Sequence, residues 1–261
     1  ARVERKSLQL AWDFTVASTR SLTGRLVTMR DETFRSLDGG APKFTVTQVT
    51  EQPNEFFARR VQGTFEMPLY LTDEGEPGGR LVLDDRGVPQ RQPGTFTATF
   101  TCNLPAAAKD RPARMSLYGH GLLGDQGEVN GSLTQKMSSQ HGVAYCATDW
   151  YGMAEEDIGN AAAILGDLSK FPSLADRLQQ GILAFLVLGR AMTHPDGFVR
   201  DPAFQFDGHP ALDRRSLFYD GNSQGAILGG ALTALSPDFR RAVLAEAGRS
   251  EEHTSELQSR E

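Results

Sequence analysis

Leu217-Phe-Tyr-Asp-Gly-Asn-Ser-Gln-Gly-Ala-Ile-Leu-Gly-Gly-Ala-Leu-Thr-Ala-Leu235 is the stretch on which the reading of this 261-residue chain turns. An apolar run ending at Tyr219 has the length and content of a buried strand, and Ala226 to Leu235 has those of a helix. The chain must therefore reverse between Asp220 and Gly225, and Ser223 sits on the reversal. Gly221 and Gly225 flank it at the spacing G-x-S-x-G, where a missing Cβ lets strand and helix approach while the serine backbone is held in a strained turn.

Working outward, a second Gly-rich segment lies upstream at Met115-Ser-Leu-Tyr-Gly-His-Gly-Leu-Leu-Gly124, again directly after an apolar strand. Between Arg114 and Ala247 short apolar strands alternate with helices: Arg114 to Tyr118, a helix from Ser132 to Gln140, Val143 to Thr148, helical Glu155 to Leu168, and a long helix opened by Pro172. Leu174, Leu178, Ile182, Phe185, Leu186 and Met192 mark the buried face of that last helix, and His194-Pro195 stops it. After a loop from Asp196 to Arg214 come the Ser223 strand and helix, then a strand over Ala242 to Ala247. Such alternation predicts a parallel sheet, in which ligands sit beyond the C-terminal strand ends. His120-Gly121, Asp149-Trp150-Tyr151 and Ser223 all emerge at that edge.

The pair of strand–His-Gly and strand–Gly-Asn-Ser-Gln-Gly motifs resembles the α/β-hydrolase superfamily, in its bacterial lipase and esterase branch. The resemblance covers about Phe56 to Gly248. It implies a mostly parallel twisted sheet with helices on both faces, incomplete at its C-terminus, and a serine carboxylic-ester hydrolase working without metal or cofactor. Residue by residue it implies Ser223 as nucleophile and the backbone N–H groups of Leu122 and Gln224 as oxyanion hole. Gly221, Gly225, His120 and Gly121 would shape the motifs, and Trp150, Tyr151 and Met153 would line the substrate pocket. His120 is expected to hold the oxyanion loop, and Asp149, which precedes the nucleophile, to orient its own loop. The substrate would be a small-molecule, lipid or polymeric ester, and the location secreted or cell-envelope. A peptidase or acyltransferase on the same fold, or a non-catalytic binding protein that kept the elbow, are the rival expectations.

The N-terminal part, residues 1–55, reads as an extension. Leu8 to Val16 has the alternation of a strand, and Ser18 or Ser21 caps a helix through Leu22, Leu26, Met29, Phe34 and Leu37. Lys43 to Thr50, Phe56 to Leu71 and Thr95 to Asn103 alternate as strands, with Pro68 expected at an edge or bulge. Thr72 to Pro93 is a Gly- and Pro-rich excursion with a hairpin around Arg86-Gly87.

A net charge of −6 without a Lys/Arg block argues against nucleic acid or an anionic membrane as partner. The longest apolar stretch, Ile182 to Leu188, is too short to span a bilayer. Only Cys102 and Cys146 are present, and their placement near the ends of presumed antiparallel strands leads us to expect two free thiols. His141, His194 and His209 have no paired ligand spacing, so no metal site is expected.

The chain opens Ala-Arg-Val-Glu without an initiator Met, so a preceding signal peptide is left open. From Arg249 the sequence Arg-Ser-Glu-Glu-His-Thr-Ser-Glu-Leu-Gln-Ser resembles an in-frame translation of a short-read sequencing adapter. That resemblance makes 249–261 a non-native tail behind a hydrolase domain spanning 56–248. A hydrolase of this kind supplies its acid and histidine after the nucleophile. The only histidine after Ser223 is His253, inside the tail, where a solvated residue is expected.

Overall fold

The structure, a computed structural model, describes residues 15–247. The expected strand over Leu8 to Val16 and the tail with His253 lie outside the described residues, save that Thr15 and Val16 themselves are not in a strand. In chain order the main elements are α1 (Thr19–Ser36), β1 (Phe44–Glu51), β2 (Phe57–Pro68), β3 (Thr95–Pro105), β4 (Ala113–Gly119), α2 (Ser132–His141), β5 (Val143–Ala147), α3 (Ile158–Gly166) and α4 (Phe171–Thr193). A two-residue hairpin, β6 (Gln205–Phe206) and β7 (His209–Pro210), precedes β8 (Leu212–Asn222), α5 (Gln224–Leu235) and β9 (Phe239–Ala245).

Seven strands form one sheet in the order β1-β2-β3-β5-β4-β8-β9. β5, β4, β8 and β9 are mutually parallel, whereas β1–β2, β2–β3 and β3–β5 are antiparallel pairs. β2 thus runs with the four parallel strands, so five of seven point one way. The alternation expected over Thr95 to Asn103 appears in the burial of β3, where Phe96, Ala98 and Phe100 are covered and Thr95, Thr97 and Thr99 are exposed. Beyond Phe100 the strand is covered on both faces.

One face of the sheet carries α4 and α5, and α1 lies over both of them. Their side chains close with Met115, Leu117, Leu217 and Tyr219 into the main core, in which Trp150 stacks on Phe185 at 3.9 Å between centroids. The other face carries α2, with Met137 against Tyr118, Tyr145 and Ala147. Fifteen of the 23 residues of α4 are buried, which explains its near-continuous apolar run through Ile182 to Leu188. None of the described helices is long and apolar enough to cross a membrane.

The described N-terminal residues, 15–55, are joined closely to this body. Ser18 caps α1 by accepting from Ser21 N–H at 3.1 Å, Met29 is fully buried, and the Arg30 guanidinium donates to the carbonyl of Leu235 at the end of α5. β1 is the edge strand beside β2. Pro68 ends β2 where β1 no longer reaches, since the last contact on that side is Glu66 N–H to Lys43 O at 3.0 Å. The missing proline N–H therefore leaves no gap in the ladder. The hairpin at Arg86-Gly87 is present, closed by Asp84 N–H to Val88 O.

The cysteine expectation is overturned, because Cys102 and Cys146 form a disulfide with their Cα atoms 4.0 Å apart. β3 and β5 are antiparallel as presumed but overlap over three pairs only, Thr101↔Ala147, Cys102↔Cys146 and Asn103↔Tyr145. In that register the five-residue β5 lies against the C-terminal half of the longer β3, and only the N-terminal half of β3 extends beyond it, so Cys102 falls directly opposite Cys146.

Candidate active site

The parallel pairing aligns the C-terminal ends of β4, β5 and β8 at one edge. Gly119 pairs with Gly221, and Tyr118 with both Ala147 and Asp220. The chain segments leaving those ends, from His120, Thr148 and Ser223, therefore start side by side.

Ser223 stands between β8 and α5 with φ 52° and ψ −118°, a conformation that L-residues seldom adopt and that surrounding structure must hold. Its N–H donates to Ala245 O at 3.0 Å, tying the turn to the end of β9, and its carbonyl accepts from Ala226 and Ile227 in the first turn of α5. The flanking glycines are required by space: a Cβ on Gly225 would enter the carbonyl oxygen of Gly119, and one on Gly221 would enter that of Gly225. Tyr219 Oη donates to the carbonyl of Gly225 and locks helix to strand from beneath.

Across from Ser223 the loop after β4 is fixed by its own side chains. Glu128 Oε2 accepts from Gly121 N–H at 2.9 Å, Asp125 caps the following turn, and Leu123 takes φ 50°. His120 is fully buried, with Nε2 accepting from Trp150 N–H at 2.8 Å and Nδ1 at 2.9 Å from the carbonyl of Gly121. Those two partners require the neutral ring with its proton on Nδ1. Burial pushes the imidazole pKa down, which favours the same neutral state. Asp149 anchors the loop from the β5 side, accepting from Gln126 N–H at 2.6 Å, with Thr99 Oγ1 at 3.3 Å. Burial raises its carboxyl to about 6, against the lowering effect of the Gln126 N–H.

A cavity of about 260 Å³ opens beside Ser223, bordered by Leu122, Met153, Leu174, Leu178, Gln224, Ile227 and Leu228. Among the described residues, the backbone N–H groups of Leu122, Leu123, Gln224 and Gly225 have no hydrogen-bond acceptor, whereas those of Gly121, Gly124 and Ser223 do, and of the four Leu122 and Gln224 belong to residues that border the cavity. The Gln224 side chain donates to Met153 O at 3.0 Å and so fixes one wall of the cavity.

The structure brings Ser223, Leu122, Gln224 and Met153 together at this cavity and places His120, Gly121, Gly221 and Gly225 as its supports. Trp150 and Tyr151 differ from expectation. Trp150 is fully buried against Phe185, and Tyr151 turns toward β3, where its hydroxyl accepts from Thr99 N–H and its ring meets Phe96 edge-on at 4.9 Å. In their place stand Leu174 and Leu178 of α4 and Ile227 and Leu228 of α5. The i,i+4 repeat of Leu174 and Leu178 marks them as one face of the helix, but periodicity does not distinguish a cavity wall from a core contact.

None of the four described histidines borders the cavity. His141 ends α2, His194 Nε2 lies 2.8 Å from Gly39 O, and His209 is in the β6–β7 hairpin. Among the described residues no group of three His, Cys, Asp or Glu is placed to hold a metal ion.

Comparison with solved structures finds ester hydrolases that this chain resembles at low sequence identity. Acetyl xylan esterase 1 from Thermoanaerobacterium sp. JW/SL YS485 is 18% identical with a TM-score of 0.43, covering 91% of this chain and 61% of its own. S-formylglutathione hydrolase from Agrobacterium tumefaciens is 13% identical with a TM-score of 0.42, covering 76% of this chain and 60% of its own. A glucuronoyl esterase from Solibacter usitatus is 14% identical with a TM-score of 0.40, covering 84% of this chain and 57% of its own. This chain thus spans about three fifths of each of them, and the likeness concerns the fold alone. No family model matches the chain, and no curated protein matches it in sequence.

Proposed function

We propose that the protein is a serine carboxylic-ester hydrolase whose nucleophile is Ser223. The observation that carries this reading is the meeting, at one cavity, of a strained strand-to-helix serine with two backbone N–H groups that have no acceptor, on Leu122 and Gln224. A nearby serine alone would be unremarkable as a helix cap, but at Ser223 the side chain makes no capping hydrogen bond to α5. Its hydroxyl is left for chemistry.

In the reaction, Ser223 Oγ adds to the ester carbonyl and the carbonyl oxygen takes up the negative charge. Donors already aimed at that oxygen stabilise it without reorganisation, and such preorganised donors are the largest single contribution in reactions of this kind. Collapse expels the alcohol and leaves an acyl-serine, which water then cleaves through a second tetrahedral intermediate at the same donors. Both steps need a base that takes a proton from Ser223 or water and returns it to the leaving group. His120 is committed to Trp150 and Gly121 on its two nitrogens, so its part is to position the oxyanion loop. None of the described histidines borders the cavity, so none of them is assigned as that base.

The disulfide supports the location expected from resemblance, because such bonds persist in oxidising compartments such as the periplasm or the exterior. The functional assignment is tested by hydrolysis of a short-chain chromogenic ester. In an enzyme that supplies the base, Ser223→Ala is expected to lower kcat by about four to six orders of magnitude, with the fold intact by circular dichroism. Retention of most of the activity would remove Ser223 from the chemistry.

A further inference from the structure

We infer that the cavity beside Ser223 selects a short apolar acyl chain, with Leu174 and Leu178 as the residues that set its length. This rests on the assignment of Ser223 as nucleophile and adds the class of ester to it. The cavity walls come from four segments: Leu122 after β4, Met153 after β5, Leu174 and Leu178 on α4, and Ile227 and Leu228 on α5. Apart from Ser223 and Gln224 every bordering side chain is aliphatic or a thioether, and no charged or aromatic side chain is among them.

A sugar hydroxyl or a uronate carboxylate entering this space would give up its water and meet no side-chain partner on the Leu and Met walls, which is unfavourable for any polar group. A methylene chain loses nothing by the same transfer and gains the burial of its apolar surface. At about 260 Å³ the space is smaller than the roughly 300–1,000 Å³ of pockets that enclose drug-sized ligands, so a chain of a few carbons fills it.

The walls are also held in place, as length discrimination requires. Met153 is fixed through its carbonyl by Gln224 and through its N–H by Trp150 O at 2.7 Å. Asp157 Oδ2 accepts from Gly152 and Ala154 N–H on either side of it, and Asp157 is in turn paired with Arg177 of α4 at 2.6 Å, beside Leu178. The backbone carrying Met153 is thereby tied to α4 beside Leu178. Carbons beyond the filled length must lie in solvent.

The test is a binding series on Ser223→Ala, which cannot form an acyl-enzyme, so that chemistry and binding are read separately. Methyl acetate, butanoate, hexanoate and dodecanoate are titrated against methyl-labelled methionine, and the Met153 methyl resonance, assigned with Met153→Leu, reports Kd. The expected result is a Kd falling about fourfold per methylene from acetate to hexanoate and no further gain at dodecanoate. Methyl glucuronate should leave the resonance unmoved at concentrations where hexanoate saturates. Leu174→Trp and, separately, Leu178→Phe should end the gain at a shorter ester.

A Kd independent of chain length, or methyl glucuronate binding as tightly as hexanoate, would overturn the apolar assignment. A gain continuing undiminished to dodecanoate, or an end-point unmoved in both variants, would overturn the length assignment. The chain-length slope in Ser223→Ala combined with unimpaired ester hydrolysis by that variant would instead leave the cavity standing and remove the nucleophile.

Discussion

β2 and β3 pair over eleven positions and place no candidate site residue at their ends, whereas β4 pairs with β5 over five and with β8 over six and carries the whole candidate site at its edge. The contrast follows from direction. Parallel strands deliver every C-terminal end to one edge, so the loops after β4, β5 and β8 start together, while antiparallel neighbours send alternate ends to opposite edges. The two sides are also joined differently. Across β3–β5 a three-residue ladder is reinforced by a covalent bond, and at the β4–β8 edge the loops are held by buried polar side chains.

If the parallel side owes its order to those buried groups, Arg177 is where removal should cost most. Its guanidinium, 3% exposed, reaches Asp157 at 2.6 Å, Glu156 at 2.7 Å and the carbonyl of Gly75 at 2.7 Å, and leaving Asp157 buried without a partner is strongly unfavourable. Arg177→Ala should lower stability by about 3–5 kcal/mol and weaken substrate binding, because Asp157 frames the wall at Met153. Denaturant unfolding and KM check the two parts. A small loss of stability would show that the clamp is not the support described.

The antiparallel side should behave oppositely. A disulfide between residues 44 apart in sequence restrains the unfolded chain, so Cys102→Ala/Cys146→Ala should cost about 2–4 kcal/mol while the cavity series above keeps its slope. A change in that slope would mean that the two sides are not separable. The test is a melting curve beside the Met153 titration.

The smallest effect is expected from pH, at the junction of the two sides. Asp149 has its folded carboxyl raised to about 6, above the roughly 3.9 of an unfolded Asp, by burial beside the loop of Gln126. Between those values the folded state binds more protons than the unfolded one. Its contribution to stability is therefore fully present below about pH 4 and is lost as pH rises through about 6. Replacing Asp149 with Asn should flatten that limb of the stability profile. An unchanged profile in Asp149→Asn would assign the slope to other groups.

Much of the parallel side was legible in the sequence because its determinants are local. A G-x-S-x-G between an apolar strand and a small-residue helix forces the turn at Ser223, and the observed φ of 52° is the strain that spacing implies. The elements from Arg114 to Ala247 fell close to their expected bounds for the same reason. What was not legible depends on offset and facing. The Cys102–Cys146 bridge needs the three-pair overlap of β3 on β5, and no residue pattern within either strand specifies how far one slides along the other. Trp150 and Tyr151 follow a strand end near the site, as pocket residues would, but the turn through Gly152 sends their side chains inward under α4 and toward β3. Leu174 and Leu178 had the periodicity of core residues, and only the position of α4 against α5 makes them a cavity wall.

The most direct test of the central claim is the crystal structure of the protein after reaction with a short-chain alkyl phosphonate, whose adduct imitates the tetrahedral intermediate. Phosphorus should be bonded to Ser223 Oγ. One phosphonyl oxygen should lie about 2.7–3.1 Å from the N–H groups of both Leu122 and Gln224, with the alkyl group between Leu174 and Leu178. Phosphorus on another residue, or an adduct on Ser223 whose oxygen points away from those two N–H groups, would contradict the account.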